Sequence, residues 1–204
     1  MFNMKKFVAV LLLLCLLPLC GLAEMDEDGD VVVTLEGAEF FFTPIVGHCI
    51  TRESSASVFT RAGFSQRELL PWMEQNGVCA LMIDETGEVQ IQVVAYESAE
   101  TDFDDMNTFG ETLMCENLTY SYTDQGYDVH SAEIYLAPEG HKFVRVAASY
   151  MEADGRAVHM VEYFTCQAGY GVSVCMFHDG GEATEAQLLM CEEVVDSLWI
   201  TATE

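Results

Sequence analysis

Hydrophobic and polar residues follow two periods along this chain, and where the period changes the structural element changes. Val89, Ile91, Val93 and Ala95 are interleaved with Gln90 and Gln92, the period-two pattern of a half-buried strand. Val78–Ile83 precedes it as a shorter apolar run, and Asp84-Glu85-Thr86-Gly87 between them is a turn. Four further runs predict a meander: Val129–Leu136, Phe143–Tyr150, Val158–Thr165 and Gly171–Phe177. Asp154-Gly155 and Ala168-Gly169 supply hairpin turns within it. Val31–Leu35, Phe40–Phe42 and His48–Thr51 are short strand candidates near the start.

The helical period shows in three places. Ser65 and Glu68 form a capping box, Phe64 and Leu69 can staple across it, and Gly77 suits the exit, with Pro71 inside as a kink. Asp102 to Glu116 predicts a second helix, capped by Thr101 or Asp102, with Phe103, Met106 and Leu113 on one face. Glu182–Ser197 predicts the last, with Leu188, Cys191, Val195 and Leu198 three and four apart. Hairpin connections imply an antiparallel sheet, meander-rich, with helices covering its apolar faces. The class is α+β.

The order of elements resembles the PsbP-like α/β sandwich of photosystem II extrinsic proteins and small secreted bacterial proteins. Two stretches carry the resemblance: the hairpin Tyr163-Phe164-Thr165-Cys166-Gln167-Ala168-Gly169-Tyr170-Gly171-Val172 and the closing helix Cys191-Glu192-Glu193-Val194-Val195-Asp196-Ser197-Leu198-Trp199-Ile200. The helix near Ser65 followed by the Val78–Ala95 hairpin also fits. The resemblance implies a fold and, by analogy, a binding or accessory role; it transfers no site residue.

The start of the chain has another logic. Lys5 and Lys6 precede an apolar run from Phe7 to Leu19, and Gly21-Leu22-Ala23 sets small residues where a signal peptidase reads. The run is shorter than the roughly 20 residues a bilayer span needs. Residues 1–23 read as a cleaved secretory signal, with Ala23 and Glu24 as the processing pair. Cys20 lacks the preceding small residue that acylation at a lipobox requires, since Leu19 and Pro18 stand there. Residues 24–30 read as an acidic, disordered leader and residues 31–204 as a single α+β domain, secreted or held at the cell surface.

Charge narrows the partners. The chain has 8 Lys and Arg against 34 Asp and Glu. Loss of the signal removes two lysines and no acid, leaving six cations and a formal charge of −28. Nucleic acid and anionic lipid would be repelled, because phosphate binding rests on Lys and Arg. A cationic ligand or protein partner is compatible. The acidic run at Asp26 lacks the glycine and closing glutamate of a calcium loop, with Val31 and Gly37 in their places.

No motif for chemistry is found, so no catalytic residue, metal ligand or cofactor is assigned. Gly171-Val172-Ser173-Val174-Cys175 departs from a nucleophile elbow at its last position and lies within a strand. His48, His130, His141, His159 and His178 form no metal-binding spacing, and no cysteine pair does. Gly180-Gly181 has no adjacent Lys or Arg to hold a phosphate. Six cysteines follow the signal, each in apolar surroundings, and read mostly as free core thiols. Cys166 and Cys175 flank one hairpin and are the pair best placed for a bridge, although a turn at Ala168-Gly169 sets Cys166 opposite Gly171. Tyr120, Tyr122, Tyr127 and Tyr135 gather near the second helix exit as a candidate recognition surface. The expected function is a secreted, soluble, non-catalytic binding or accessory domain. The alternatives are a secreted hydrolase built from scattered acids and a structural accessory of a surface complex.

Intact-mass analysis of the secreted protein should show a chain beginning at Glu24. A lipid-modified Cys20 at the N-terminus would overturn this.

Overall fold

Val31, Val33 and Leu35 point one way from their strand and are buried, while Val32 and Thr34 point the other way. Ala38, Phe40 and Phe42 repeat the pattern on the next strand. Alternation of this kind builds a sheet with one dry face. In the computed structural model, which describes residues 22–100, 102–179 and 181–203, two antiparallel sheets result. The smaller contains β1 (Leu22–Met25), β2 (Val31–Leu35), β3 (Ala38–Phe42) and β11 (Trp199–Ala202), in the order β1-β2-β3-β11. The larger contains β4 (Gly47–Thr51), β5 (Val78–Asp84), β6 (Val89–Glu97), β7 (Asp128–Leu136), β8 (Lys142–Met151), β9 (Ala157–Gln167) and β10 (Tyr170–Asp179). Its order is β4-β5-β6-β10-β9-β8-β7.

The helices are α1 (Ala56–Arg61), α2 (Gln66–Gln75), α3 (Thr108–Asp124) and α4 (Glu185–Asp196). The smaller sheet and α4 cover one face of the larger sheet, where Phe40, Phe42, Cys191 and Val195 meet Ile91, Tyr163, Val172 and Val174. On the opposite face α1 and α2 bring Phe59, Leu69 and Met73 onto Ile50, Leu81 and Val94. Beside them α3 brings Leu118 and Tyr122 toward Val146, Met160 and Phe164. Fully burying one such aliphatic or aromatic side chain contributes about 1.5–3 kcal/mol.

The α+β class, the meander and the three expected helices are present. Ala168 and Gly169 both have positive φ, 52° and 80°, as a two-residue hairpin of the twisted kind demands. Gly171 follows because the Tyr96 ring lies over it: a Cβ there would come within 2.4 Å of Cζ. Pro71 is accommodated inside α2, whose Leu69 and Met73 stay buried. Ser65 is at the N-cap of α2, but its side chain makes no cap bond. The working capping box belongs to α4, where Thr184 and Gln187 satisfy each other.

Three expectations change. The second helix begins at Thr108, capped by Asn107, whose Oδ1 accepts from Gly110 N–H at 3.0 Å. Phe103 sits instead in a separate 3₁₀ turn, Phe103–Asp105, edge-on to Phe164 at 5.3 Å. Leu113 therefore faces solvent, because the helix is phased by Leu118 and Tyr122. The strand β6, expected half-buried, is covered on both faces from Ile91 to Tyr96, Gln92 included. Residues 24–30 are also not a disordered leader. Glu24 and Met25 pair with Val32 and Val31 in β1, and the Asp26 carboxylate accepts backbone N–H bonds from Asp28, Gly29 and Asp30 at 2.9–3.0 Å. The valine-rich β2 has a free edge for β1, and Asp26 closes the turn between them.

Ala23 is fully buried opposite Val33, so processing after Ala23 would divide β1. The rest of the expected signal lies outside the described residues. A chain beginning at Leu22 should be more stable than one beginning at Glu24 by about 1–3 kcal/mol, the worth of one or two ladder hydrogen bonds and a buried methyl group. Paired urea titrations of the two forms check this; equal midpoints would mean that β1 contributes nothing beyond Glu24.

Candidate functional site

The polar residues of the larger sheet are unevenly placed. Gln92, Cys175 and Glu162 lie in one cross-strand row over β6, β10 and β9. All three are buried, Glu162 at 5% exposure. One Glu162 oxygen accepts from Ser173 Oγ at 2.7 Å, and the Cys175 thiol lies 3.6 Å from it. The other accepts from the Tyr122 hydroxyl at 2.5 Å. Burial pushes Tyr122 and Cys175 well above their ordinary pKa values, and the Glu162 carboxylate adds to both, so each stays a neutral donor. The row anchors α3, and both carboxyl oxygens of Glu162 are engaged within the core.

That anchor fixes how α3 lies over the sheet margin. Leu118 and Tyr122 face inward, and the adjoining flank of the helix overhangs β7. Thr112, Cys115, Glu116, Thr119, Tyr120 and Thr123 form one wall of a groove of about 540 Å³, and Ala132 of β7 forms its floor. The small Ala132 side chain leaves the space open. Along the rim runs an exposed apolar stripe, with Phe109 78%, Leu113 45% and Tyr120 73% exposed. Residues 109, 113 and 120 share a helix face by spacing. Burial raises the Cys115 thiol pKa, and the Glu111 and Glu133 carboxylates add to it, so this groove thiol is held protonated. Glu111 pairs with Lys142 at 2.9 Å and Glu133 with Arg145 at 2.9 Å. Glu116 makes no ion pair among the described residues.

Other clusters are committed to the fold. Asp104 Oδ2 lies 2.7 Å from His141 Nδ1 and accepts from Gln167 Nε2 at 3.0 Å, while Lys142 N–H donates to Asp104 Oδ1 at 2.8 Å. The Trp199 ring meets His141 edge-on at 4.9 Å. Together they tie the 3₁₀ turn to β8, β9 and β11. Tyr163 accepts from Arg145 Nε and donates to Glu192, and Tyr135 donates to Asp196, which seats α4. A smaller depression of about 430 Å³ lies between Thr43, Pro44 and Ile45 and the α4 end at Glu193, Asp196 and Ser197. Among the described residues no three His, Cys, Asp or Glu side chains gather to hold a metal ion. No helix among them is long and apolar enough to cross a membrane.

The residues singled out from sequence fall as follows. Cys166 stands opposite Gly171 and Cys175 opposite Glu162, so the hairpin does not bring the two thiols together. All six described cysteines are free thiols. Of the four tyrosines, only Tyr120 is largely exposed. Tyr122 and Tyr127 are buried edge-to-face at 5.2 Å, and Tyr135 is bound to Asp196. Ala23 and Glu24 lie in β1, far along the chain from the groove. Sequence reasoning missed Glu116, Thr119 and Ala132, which carry no motif; the one available signal was the helical spacing of Phe109, Leu113 and Tyr120.

Among solved structures, the chain is similar to cyanobacterial PsbP (CyanoP) from Synechocystis sp. PCC 6803, at 14% identity and a TM-score of 0.44, over 89% of this chain and 92% of that one. It is also similar to a protein from Bacteroides thetaiotaomicron VPI-5482 at 10% identity and a TM-score of 0.36, over 90% of this chain. It spans about half of that second protein, 49%. No family model matches the chain, and no curated protein does.

Replacing Tyr122 with Phe should cost about 1–3 kcal/mol, because it leaves one oxygen of a buried carboxylate without its donor. Glu162→Gln, which retains a hydrogen-bonding end, should cost less. Urea midpoints check both; an unchanged midpoint for Tyr122→Phe would mean that α3 is held by apolar packing alone.

Proposed function

We propose that this chain is an extracytoplasmic, non-catalytic binding or accessory domain whose partners are cationic. The observation that carries this reading is the α3–β7 groove. It is concave, has a rim of exposed apolar side chains, and presents Glu116 with no cation beside it among the described residues. Its one thiol, Cys115, is held protonated and so is poorly suited to act as a nucleophile. The start of the chain, with Lys5, Lys6, the apolar run and Gly21-Leu22-Ala23, supports export. Whole-chain acidity, 34 acids against 8 cations, supports the sign of the partner. The stripe Phe109, Leu113 and Tyr120 beside the groove favours the accessory form of this reading, in which the partner belongs to a larger surface assembly.

Titrating the processed protein with an oligolysine peptide, followed by tryptophan fluorescence, should give saturable binding that weakens as salt rises past about 0.15 M, where the screening length is near 8 Å. Tight, saturable binding to duplex DNA or to anionic vesicles at that salt would contradict the electrostatic reading. Turnover of a peptide, ester or glycan substrate, abolished by changing a single acid or cysteine, would contradict the non-catalytic one.

A further inference from the structure

Each sheet has two edges, and three of the four are short. The strands β1 and β11 have four residues each and β4 has five. Short edge strands offer little to pair with. The fourth, β7, has nine residues, pairs only with β8, and is half-exposed or exposed along its whole length. Its ladder is interrupted once, by the irregularity between Val129 and Ser131, and runs evenly from there to Leu136. Among the described residues no strand lies against its outer side. The groove beneath α3 has Ala132 of this edge strand as its floor, so a strand entering beside β7 would have the flank of the helix above it.

We propose that β7 receives an extended cationic segment of a partner protein as an added strand, seated between the outer edge of Ser131–Leu136 and the overhang of α3. The inference rests on the reading above and specifies how the partner is held. In an added strand successive side chains point to opposite faces. Those on the α3 side enter above Ala132, where the lining is small and largely apolar, and reach Glu116 and the exposed Tyr120 ring. A lysine or arginine fits this path: its stem lies in the groove, and its charged head meets the carboxylate and the aromatic face. Side chains on the other face reach Glu133, which is exposed and pairs with Arg145. Carboxylates on both faces favour a segment rich in basic residues. A second copy of this chain is the wrong occupant, since it brings the same acids to an acidic edge and carries a formal charge of −26 even with its signal. Main-chain hydrogen bonds to the edge would supply affinity and the groove would supply selectivity, as in other strand-addition complexes.

The test uses the processed chain, labelled with nitrogen-15, and a peptide alternating lysine and valine with the nine-residue length of β7. Binding should shift and protect from exchange the amides of Ser131–Leu136 and shift those of α3 around Glu116. Two derivatives, methylated on the lysine nitrogens or on the valine nitrogens, keep every charge but block opposite edges of the peptide. Only one of them should lose affinity, by about tenfold or more. Glu116→Lys, an exposed change that leaves the core untouched, should weaken the parent peptide by a similar factor. Equal affinity for the parent and both methylated peptides, or shifts that avoid β7, would overturn strand addition while leaving a cationic-binding domain in place. No binding of any cationic peptide at low salt would overturn both. Sedimentation showing a dimer that Glu116→Lys or added peptide disperses would overturn the choice of occupant in favour of a second copy.

Discussion

A carboxylate that makes no ion pair among the described residues stands in the middle of the larger sheet, and the placement of α3 depends on it. Glu162 is buried, and a buried carboxylate is tolerated only when its lone pairs are answered. Ser173 answers from the neighbouring strand and Tyr122 from the helix. Hydrogen bonds in a low-dielectric setting are stronger than in water, and directional. Apolar packing alone would let α3 slide or rotate over Val146, Met160 and Phe164. The Tyr122 hydroxyl holds it at one height and one phase. That phase turns Thr112, Glu116, Thr119 and Thr123 toward the β7 edge and leaves Phe109, Leu113 and Tyr120 in solvent.

The second constraint is that the central strands are covered on both faces. Every residue of β5 is buried, as are most of β6, β9 and β10. One face is covered by the smaller sheet and α4, the other by two separate helical layers, α1–α2 and α3. Between the two layers the sheet carries its polar row, including Gln92 Oε1, which has no partner among the described residues. Cover of this kind consumes the faces and leaves the edges. Three edges are too short to matter. At the fourth the covering helix overhangs the strand, so a groove with a helix wall and a strand floor arises there.

How far the chain could be read before its fold was seen depended on the range of the interaction involved. The four meander strands and the turn at Ala168-Gly169 are set by side-chain alternation and by which residues tolerate positive φ, both local properties written in neighbouring residues. The apolar faces of α2 and α4 are equally local. The start of α3 misled because Asp102 is a plausible cap; the winning cap, Asn107, was selected by the burial of Phe103 against Phe164, a residue far along the chain. The strand β1 spans the Ala23–Glu24 junction that reads as a processing site, and a small residue such as Ala23 suits a signal-peptidase exit and a buried strand position alike.

The chain by itself therefore determined the class of fold, the hairpin order and the acidity of the surface, because period, turn chemistry and net charge need no knowledge of what lies opposite. It could not determine that Glu162, one acid among 34, is buried beneath α3, or that Glu116 lines a groove. Nor could it show that Tyr122 faces inward while Tyr120 faces out. Those outcomes turn on the pairing of β6 with β10 and on the docking of α3. Both join residues distant in sequence, and only the tertiary structure brings them to hydrogen-bonding distance.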